Sequence, residues 1–297
     1  MNLHLDNVNL QSLSGPNSFA QKLVNYAQQE GHTFDPNKPP DARLCFIETG
    51  RASSEVPFFQ RLDSVYFNTS ANYHLQNQNI KRTYDMATGV IFQSDFGKKL
   101  VTNFFGEHPN SIIVRNGADV DKIEKLDPIQ NPILDNYENV WSCAASWRPH
   151  KRLGENIKYF LQNRSHKDCL VVAGDIQQKI EAPDVFYTGN LMHDTLISLY
   201  KRSKNFIHLA WLDCCPNVVV DARAAGCHII CSDSGGTPEV AGPGATVVKD
   251  AEWDFKPMEL YKPPPMTFEK TFNNSQDSEY NMKIVAQQYM NFVGSHL

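Results

Sequence analysis

Asp213 and Asp221 have seven residues between them and flank a Pro216-Asn217 step. Proline is tolerated in a first helical turn, so this spacing predicts a helix N-terminus directly behind the first aspartate. Such a terminus offers unpaired N–H groups and the positive end of a dipole, which suits a phosphate. Asp221 then falls about a turn and a half into the helix, within reach of a sugar hydroxyl. Gly235 and Gly236 follow, where a ligand can approach the backbone with no Cβ in the way. Upstream, Arg148, His150, Lys151 and Arg152 crowd around Pro149. Cations packed at a strand-to-helix turn would neutralise a diphosphate. The spacing alone leaves open a plain βαβ unit with two solvated aspartates and a solvated basic face.

The elements that must position these groups alternate between strand and helix. An apolar run at Phe206, Ile207 and Leu209 predicts a buried strand, a helix ends at Gly226, and Ile229 to Cys231 predicts the next strand. Segments 139–146, 169–175 and 184–189 read as further strands of the same domain, with helices after Lys151 and over 193–202. Towards the N-terminus, strands are expected near Leu3 and Leu5 and over 44–47, 57–63, 89–94 and 111–114. Helices are expected from Phe19, from about Tyr73 and behind a cap at Ser94 or Asp95. Gly15 lies between the first strand and helix, where an α/β sheet meets its ligand, although a structural turn suits it equally. Arg61 and Asp63 end an apolar run at such an edge; an ion pair between them is the alternative. Little periodicity over Lys122–Tyr137 places an interdomain linker there. Residues 256–266 are Pro-rich and read as a surface crossing, and 278–292 as a last amphipathic helix.

The central segment resembles the signature of retaining, nucleotide-sugar-dependent glycosyltransferases of family 4, the glycogen-synthase-like group with the GT-B fold. The matching residues are Asp213, Pro216, Asn217, Asp221, Ala224-Ala225-Gly226, Ser232-Asp233, Gly235-Gly236 and Pro238-Glu239. Two departures stand out: both acids are Asp where the family usually has Glu, and Cys214-Cys215 replace Gly-Phe. The resemblance implies an α/β chain of two Rossmann-like domains facing across a cleft. The N-terminal acceptor-side domain would span 1–125 and the nucleotide-sugar domain 138–275, with helix 276–295 packing back onto the first. It also implies roles. Asp213 would face the transferred sugar, Asp221 would hold the ribose, and Lys151 with Arg148 or Arg152 would hold the diphosphate. Tyr187, Gly189, Asn190 and Leu191 would form the base pocket, and Gly15 and Asp63 would line the cleft. Such a site needs no metal and no cofactor beyond the donor itself.

Composition narrows the partners. With 297 residues, 41% hydrophobic and 21% charged, the chain is an ordinary globular protein with room for two domains. A net charge of −5 supplies no global basic field for nucleic acid or an anionic membrane. No apolar run reaches the ~18 residues of a spanning helix. The first ten residues lack a signal peptide's basic and apolar regions, and seven cysteines without a zinc-finger spacing fit reduced thiols. A cytoplasmic enzyme is the expectation, with a glycan or lipid acceptor. The compactness also resembles small phage glycosyltransferases, some of which modify hydroxymethylated pyrimidines such as hydroxymethylcytosine in DNA. Lys81-Arg82, Lys98-Lys99 and Arg115 would then track phosphates. A third reading is a non-catalytic nucleotide-sugar-binding protein, motivated by the shortened acids.

Overall fold

The computed structural model describes residues 1–12, 14–273 and 275–297. The chain forms two compact units. The first comprises Met1–Asp119, Asp254–Met258 and Glu279–Leu297; the second comprises Val120–Trp253 and Glu259–Ser278.

The first unit begins β1 (Leu3–Asp6), α1 (Gly15–Gln29), β2 (Ala42–Phe46), β3 (Phe58–Leu62), α2 (Tyr73–Met86), β4 (Gly89–Phe92), α3 (Asp95–Phe105) and β5 (Ser111–Ile113). Its five strands are parallel and lie in chain order, β1-β2-β3-β4-β5. Helix α1 starts four residues before the expected Phe19, because Pro16 is accepted in its first turn. Ser94 caps α3, its Oγ accepting from Gly97 N at 2.9 Å.

The second unit continues with α4 (Val120–Lys125), β6 (Asn139–Ala144), α5 (Leu153–Asn163), β7 (Asp168–Ala173), β8 (Val185–Gly189), α6 (His193–Arg202), β9 (Ser203–His208), α7 (Asn217–Ala224), β10 (His228–Ser232), α8 (Thr237–Ala241), β11 (Thr246–Val248) and β12 (Lys270–Thr271). Strand order is β12-β11-β10-β9-β6-β7-β8, parallel except for β12. The near-continuous apolar strands of this sheet are those of a parallel sheet covered on both faces. Segment 122–137 is no bare linker. It carries α4 and a 3-10 turn, and is tied to its own unit by Lys201 Nζ donating to Ile123 O at 3.0 Å.

Helix α9 (Met282–Gly294) returns to the first unit. Met282, Val285, Ala286, Tyr289, Met290 and Val293 fall on one helical face and are buried with Phe19, Leu23 and Phe46. The approach is close: a Cβ at Gly89 of β4 would sit 2.9 Å from the Phe292 ring, and one at Gly117 would sit 2.8 Å from Met282 Cα. Residues 254–258 belong to the first unit, and 256–258, the start of the segment read from sequence as a surface crossing, are pinned there by Met258 N donating to Phe67 O at 3.0 Å.

Candidate active site

The second sheet changes direction at its centre. From β6 the chain moves to β7 and β8 on one side, then to β9, β10 and β11 on the other. In an open parallel sheet, the crevice beyond the carboxyl ends of such a strand pair is where ligands bind. Loops 145–152 and 209–216 leave β6 and β9 at that edge, and Trp211 N donating to His150 O at 2.7 Å ties them together.

Lys151 closes the 3-10 turn Pro149–Lys151, and its ammonium pairs with Asp213 Oδ2. His208, the last residue of β9, places Nε2 3.0 Å from the same oxygen. Burial pushes the His208 pKa below its ordinary value despite the adjacent Asp213, so the neutral ring donates Nε2–H. Burial also opposes ionisation of Asp213. The Lys151 charge and the His208 hydrogen bond outweigh it and hold the carboxyl well below the usual carboxylate range. The result is a half-buried anion clamped on one oxygen by a cation and a neutral donor.

The backbone under Asp213 is clamped as well. Leu212 takes a positive φ of 56° and donates its N–H to Ser234 Oγ at 2.9 Å, while Gly236 N donates to Asp213 O at 2.8 Å. Gly235 sits at φ +75°, and a Cβ there would strike the Asp213 carbonyl oxygen. Gly235 was expected to make room for a ligand; here it makes room for the Asp213 backbone.

The two candidate arginines part company. Arg152 occupies a left-handed turn at φ +52°. Its Nη1 and Nη2 meet Asp250 at 2.5 and 3.1 Å, Nη2 also reaches Pro264 O at 2.7 Å, and the guanidinium lies over Trp211. That fork is committed to the unit's interior. Arg148 is exposed and makes no ion pair among the described residues. His150, between them, stacks on Tyr261 with its pKa pushed down to about 4 by burial and by Lys151.

Pro216 is the extended residue before α7 and Asn217 its first residue. Asp221 lies buried in the second turn, with His193 Nε2 at 3.3 Å. Tyr187, Gly189, Asn190 and Leu191 form a separate group at the end of β8. The Tyr187 hydroxyl bonds Ile180 O at 2.7 Å, and Gly189 at φ +69° accepts from Gly174 N at 2.8 Å. Asn190 is exposed and Leu191 half-buried. Gly15, the exposed first residue of α1, and Asp63, just past β3, belong to the first unit. Arg61 pairs not with Asp63 but with Asn116, Nη2 donating at 2.9 Å, and stacks on Phe19 and Phe46. The sequence reading passed over His208. Its only signal was a polar residue closing an apolar strand five residues before Asp213. Among the described residues, no three His, Cys, Asp or Glu converge as a metal ion would need. Nor is any helix among them long and apolar enough to cross a membrane.

Residues 134–254 match the family described as Glycosyl transferases group 1. No curated protein matches the chain by sequence. Among solved structures, sucrose-phosphate synthase from Thermosynechococcus elongatus aligns with a TM-score of 0.66 at 11% identity, over 99% of this chain and 97% of that one. Anabaena HepE, in complex with UDP-glucose, gives 0.64 at 12% identity over 99% of both. WaaG, a glycosyltransferase involved in lipopolysaccharide biosynthesis, gives 0.62 at 11% identity, over 100% and 94%. The two parallel-sheet units are those of the GT-B fold, and the group 1 domain makes the chain a glycosyltransferase.

Proposed function

We propose that the chain transfers a sugar from a nucleoside-diphosphate sugar to an acceptor hydroxyl with retention at C1, as the resemblance to family 4 implies. The observation that carries this reading is the Lys151–Asp213–His208 cluster at the β6/β9 switch point, inside the segment that matches the group 1 family. Lys151 and the exposed Arg148 would take the diphosphate, where negative charge develops as it leaves. Asp213, held on Oδ2, would accept sugar hydroxyls on Oδ1. Asp221 would accept from the ribose beside the N-terminus of α7, and Tyr187 to Leu191 would border the base. In the reaction the bond from C1 to the diphosphate oxygen breaks and the acceptor oxygen bonds C1 on the same face. The acceptor proton departs with the diphosphate.

HepE was crystallised with UDP-glucose, which makes a UDP-sugar the first donor to try. Thermal stabilisation against UDP-, GDP-, ADP-, CMP- and dTDP-sugars tests the donor; a ligand at about 100 times its Kd adds about 2.7 kcal/mol. Donor hydrolysis by wild type and Asp213→Asn then tests the enzyme reading against a binding-only protein. Equal rates would remove the support for Asp213. Of the cations the DNA reading would use, Lys81 faces Asp85, Arg82 is held by Asn79 and Arg115 pairs with Asp95, while Lys99 lies over the Phe255 ring and neither it nor Lys98 makes an ion pair among the described residues.

A further inference from the structure

At the carboxyl edge of β1 and β2, the first unit holds a cavity of about 370 Å³ that no part of the donor reading uses. Every side chain lining it is polar: Asp6, Asn7, Glu48, Thr49, Arg51 and Asn79. Its floor is a strained turn. Glu48 N donates to Phe46 O at 2.9 Å, closing a three-residue turn on Ile47, whose φ is +69°. Positive φ marks the rare, strained form of the γ-turn and is an outlier for a β-branched residue. Such a conformation persists only where its surroundings over-determine it. Here they do. Asn7, itself at φ +59°, donates Nδ2–H to Phe46 O at 2.8 Å; Ile47 N donates to Arg61 O at 2.9 Å; and buried Gln60 donates to Ile47 O at 2.6 Å.

The turn delivers Glu48 to the cavity, and a relay fixes its carboxylate. Arg82 donates to Asn79 Oδ1 at 2.6 Å and to Thr49 O at 2.7 Å, and Asn79 Nδ2 donates to Glu48 Oε2 at 2.9 Å. Glu48 Oε1 has no partner among the described residues. Opposite it, Arg51 gives Nε to Asp6 Oδ2 at 3.0 Å and keeps both Nη groups without partners among the described residues. Asp6 is itself saturated by Arg43, Thr49 and Arg51. The cavity thus presents one fixed acceptor and fixed donors, with no aliphatic or aromatic wall. A lipid chain or a flat base would find no aliphatic or aromatic residue to pack against, whereas a ring of hydroxyls, each both donor and acceptor, matches the set.

We propose that this cavity is the acceptor subsite for a sugar, with Glu48 Oε1 accepting an acceptor hydroxyl, Arg51 donating to others, and Asn79 acting as a positioning residue. The proposal rests on the glycosyl-transfer reading above and makes the acceptor a glycan. Saturation-transfer NMR with the methyl glycosides of glucose, galactose, mannose and N-acetylglucosamine tests it, beside calorimetry with UDP-glucose on the same samples. At least one glycoside binds wild type. Glu48→Gln, isosteric but able to present an amide donor where the hydroxyl hydrogen points, weakens that glycoside at least tenfold and leaves the melting temperature unchanged. Asn79→Ala weakens it several-fold and Asn79→Gln recovers part of the loss, a rescue that general loosening would not produce. Equal glycoside affinity in wild type and Glu48→Gln, or no glycoside bound at all, overturns the subsite. Displacement by inorganic phosphate with Glu48→Gln unimpaired assigns the cavity to an anion and overturns it too. If none of the UDP-, GDP-, ADP-, CMP- and dTDP-sugars binds while Glu48-dependent glycoside binding holds, the donor reading falls and the sugar subsite stands.

Discussion

In the second sheet the chain reverses direction at β6, the arrangement beyond whose carboxyl edge ligands bind; in the first, strand order follows chain order from β1 to β5 with no such reversal. The two units therefore build polar sites by different means. At the switch point, topology supplies the space, and ordinary loops need only bring Lys151, Asp213 and His208 into it. At the edge of the first sheet, space comes from a strained turn at Ile47 that four hydrogen bonds hold in place. Each unit also buries an arginine near a strand's end, again on different terms. Arg152 has a carboxylate partner with both side chains almost wholly out of water, at 2% and 0% exposure. Among the described residues, Arg61 has only an amide and two aromatic faces.

The two arginines give the largest effect and the sharpest contrast. Asp250→Ala leaves Arg152 buried without its counter-ion, and breaking a buried pair on one side costs about 3–5 kcal/mol. Denaturant unfolding of this variant should show that loss. Arg61→Met removes an unpaired buried charge and one hydrogen bond worth about 1 kcal/mol, so stability should be unchanged or higher. A similar loss in both variants would break the distinction drawn between the units.

Next in size is Lys151→Met. Removing a preorganised cation from a developing negative charge costs about 10²–10³ in rate, or about 2.7–4 kcal/mol. Steady-state turnover with the donor found by thermal shift should fall by that factor, while Glu48→Gln leaves donor affinity intact. If both variants lose donor affinity, the division of labour between the two carboxyl edges is wrong.

How much of this was legible beforehand follows the same divide. The switch-point site was readable because its residues are unusual where they stand: an aspartate, a cation cluster and a double glycine at the ends of apolar runs. Local periodicity also placed most strands and helices to within a few residues. His208 was missed because it reads as the tail of a strand, and its partner emerges only when the 209–213 loop folds back. Arg152 drew equal attention with Arg148 because its partner lies 98 residues away at Asp250. The Ile47 turn could not be read at all. Nothing local favours positive φ in isoleucine, and its supports, Asn7, Gln60 and Arg61, come from β3 and the end of β1.

Gly235→Ala is a smaller perturbation of the same site. The new methyl group meets the Asp213 backbone and the residue must hold φ +75°, which together should cost about 1–3 kcal/mol of stability. The loss should appear as a lower melting temperature together with slower turnover, because what moves is the residue that carries Asp213. A variant that melts earlier with full activity would mean that the Gly235 contact supports the fold and not the placement of the carboxylate.

The smallest effect is a pH slope. His150 is held at a pKa of about 4 by burial and by Lys151, and His208 is lowered as well, against about 6.5 for histidine in an unfolded chain. Between about pH 6.5 and 4 the unfolded chain therefore binds protons that the folded one refuses, so stability falls as pH falls through that window. Histidines buried in neutral form behave this way, the reverse of a histidine that gains an acidic partner on folding. His150→Phe keeps a ring against Tyr261, and the His150 carbonyl that accepts from Trp211 is backbone, so both loops stay tied. It removes one of these titrations. Unfolding free energy measured across that window should decline less steeply in the variant, with the remaining slope due to His208, to His32 and His228, which burial also lowers, and to the carboxylates. An unchanged slope would mean that His150 is charged and solvated in the folded protein, and that the switch-point crevice is wetter than its geometry implies.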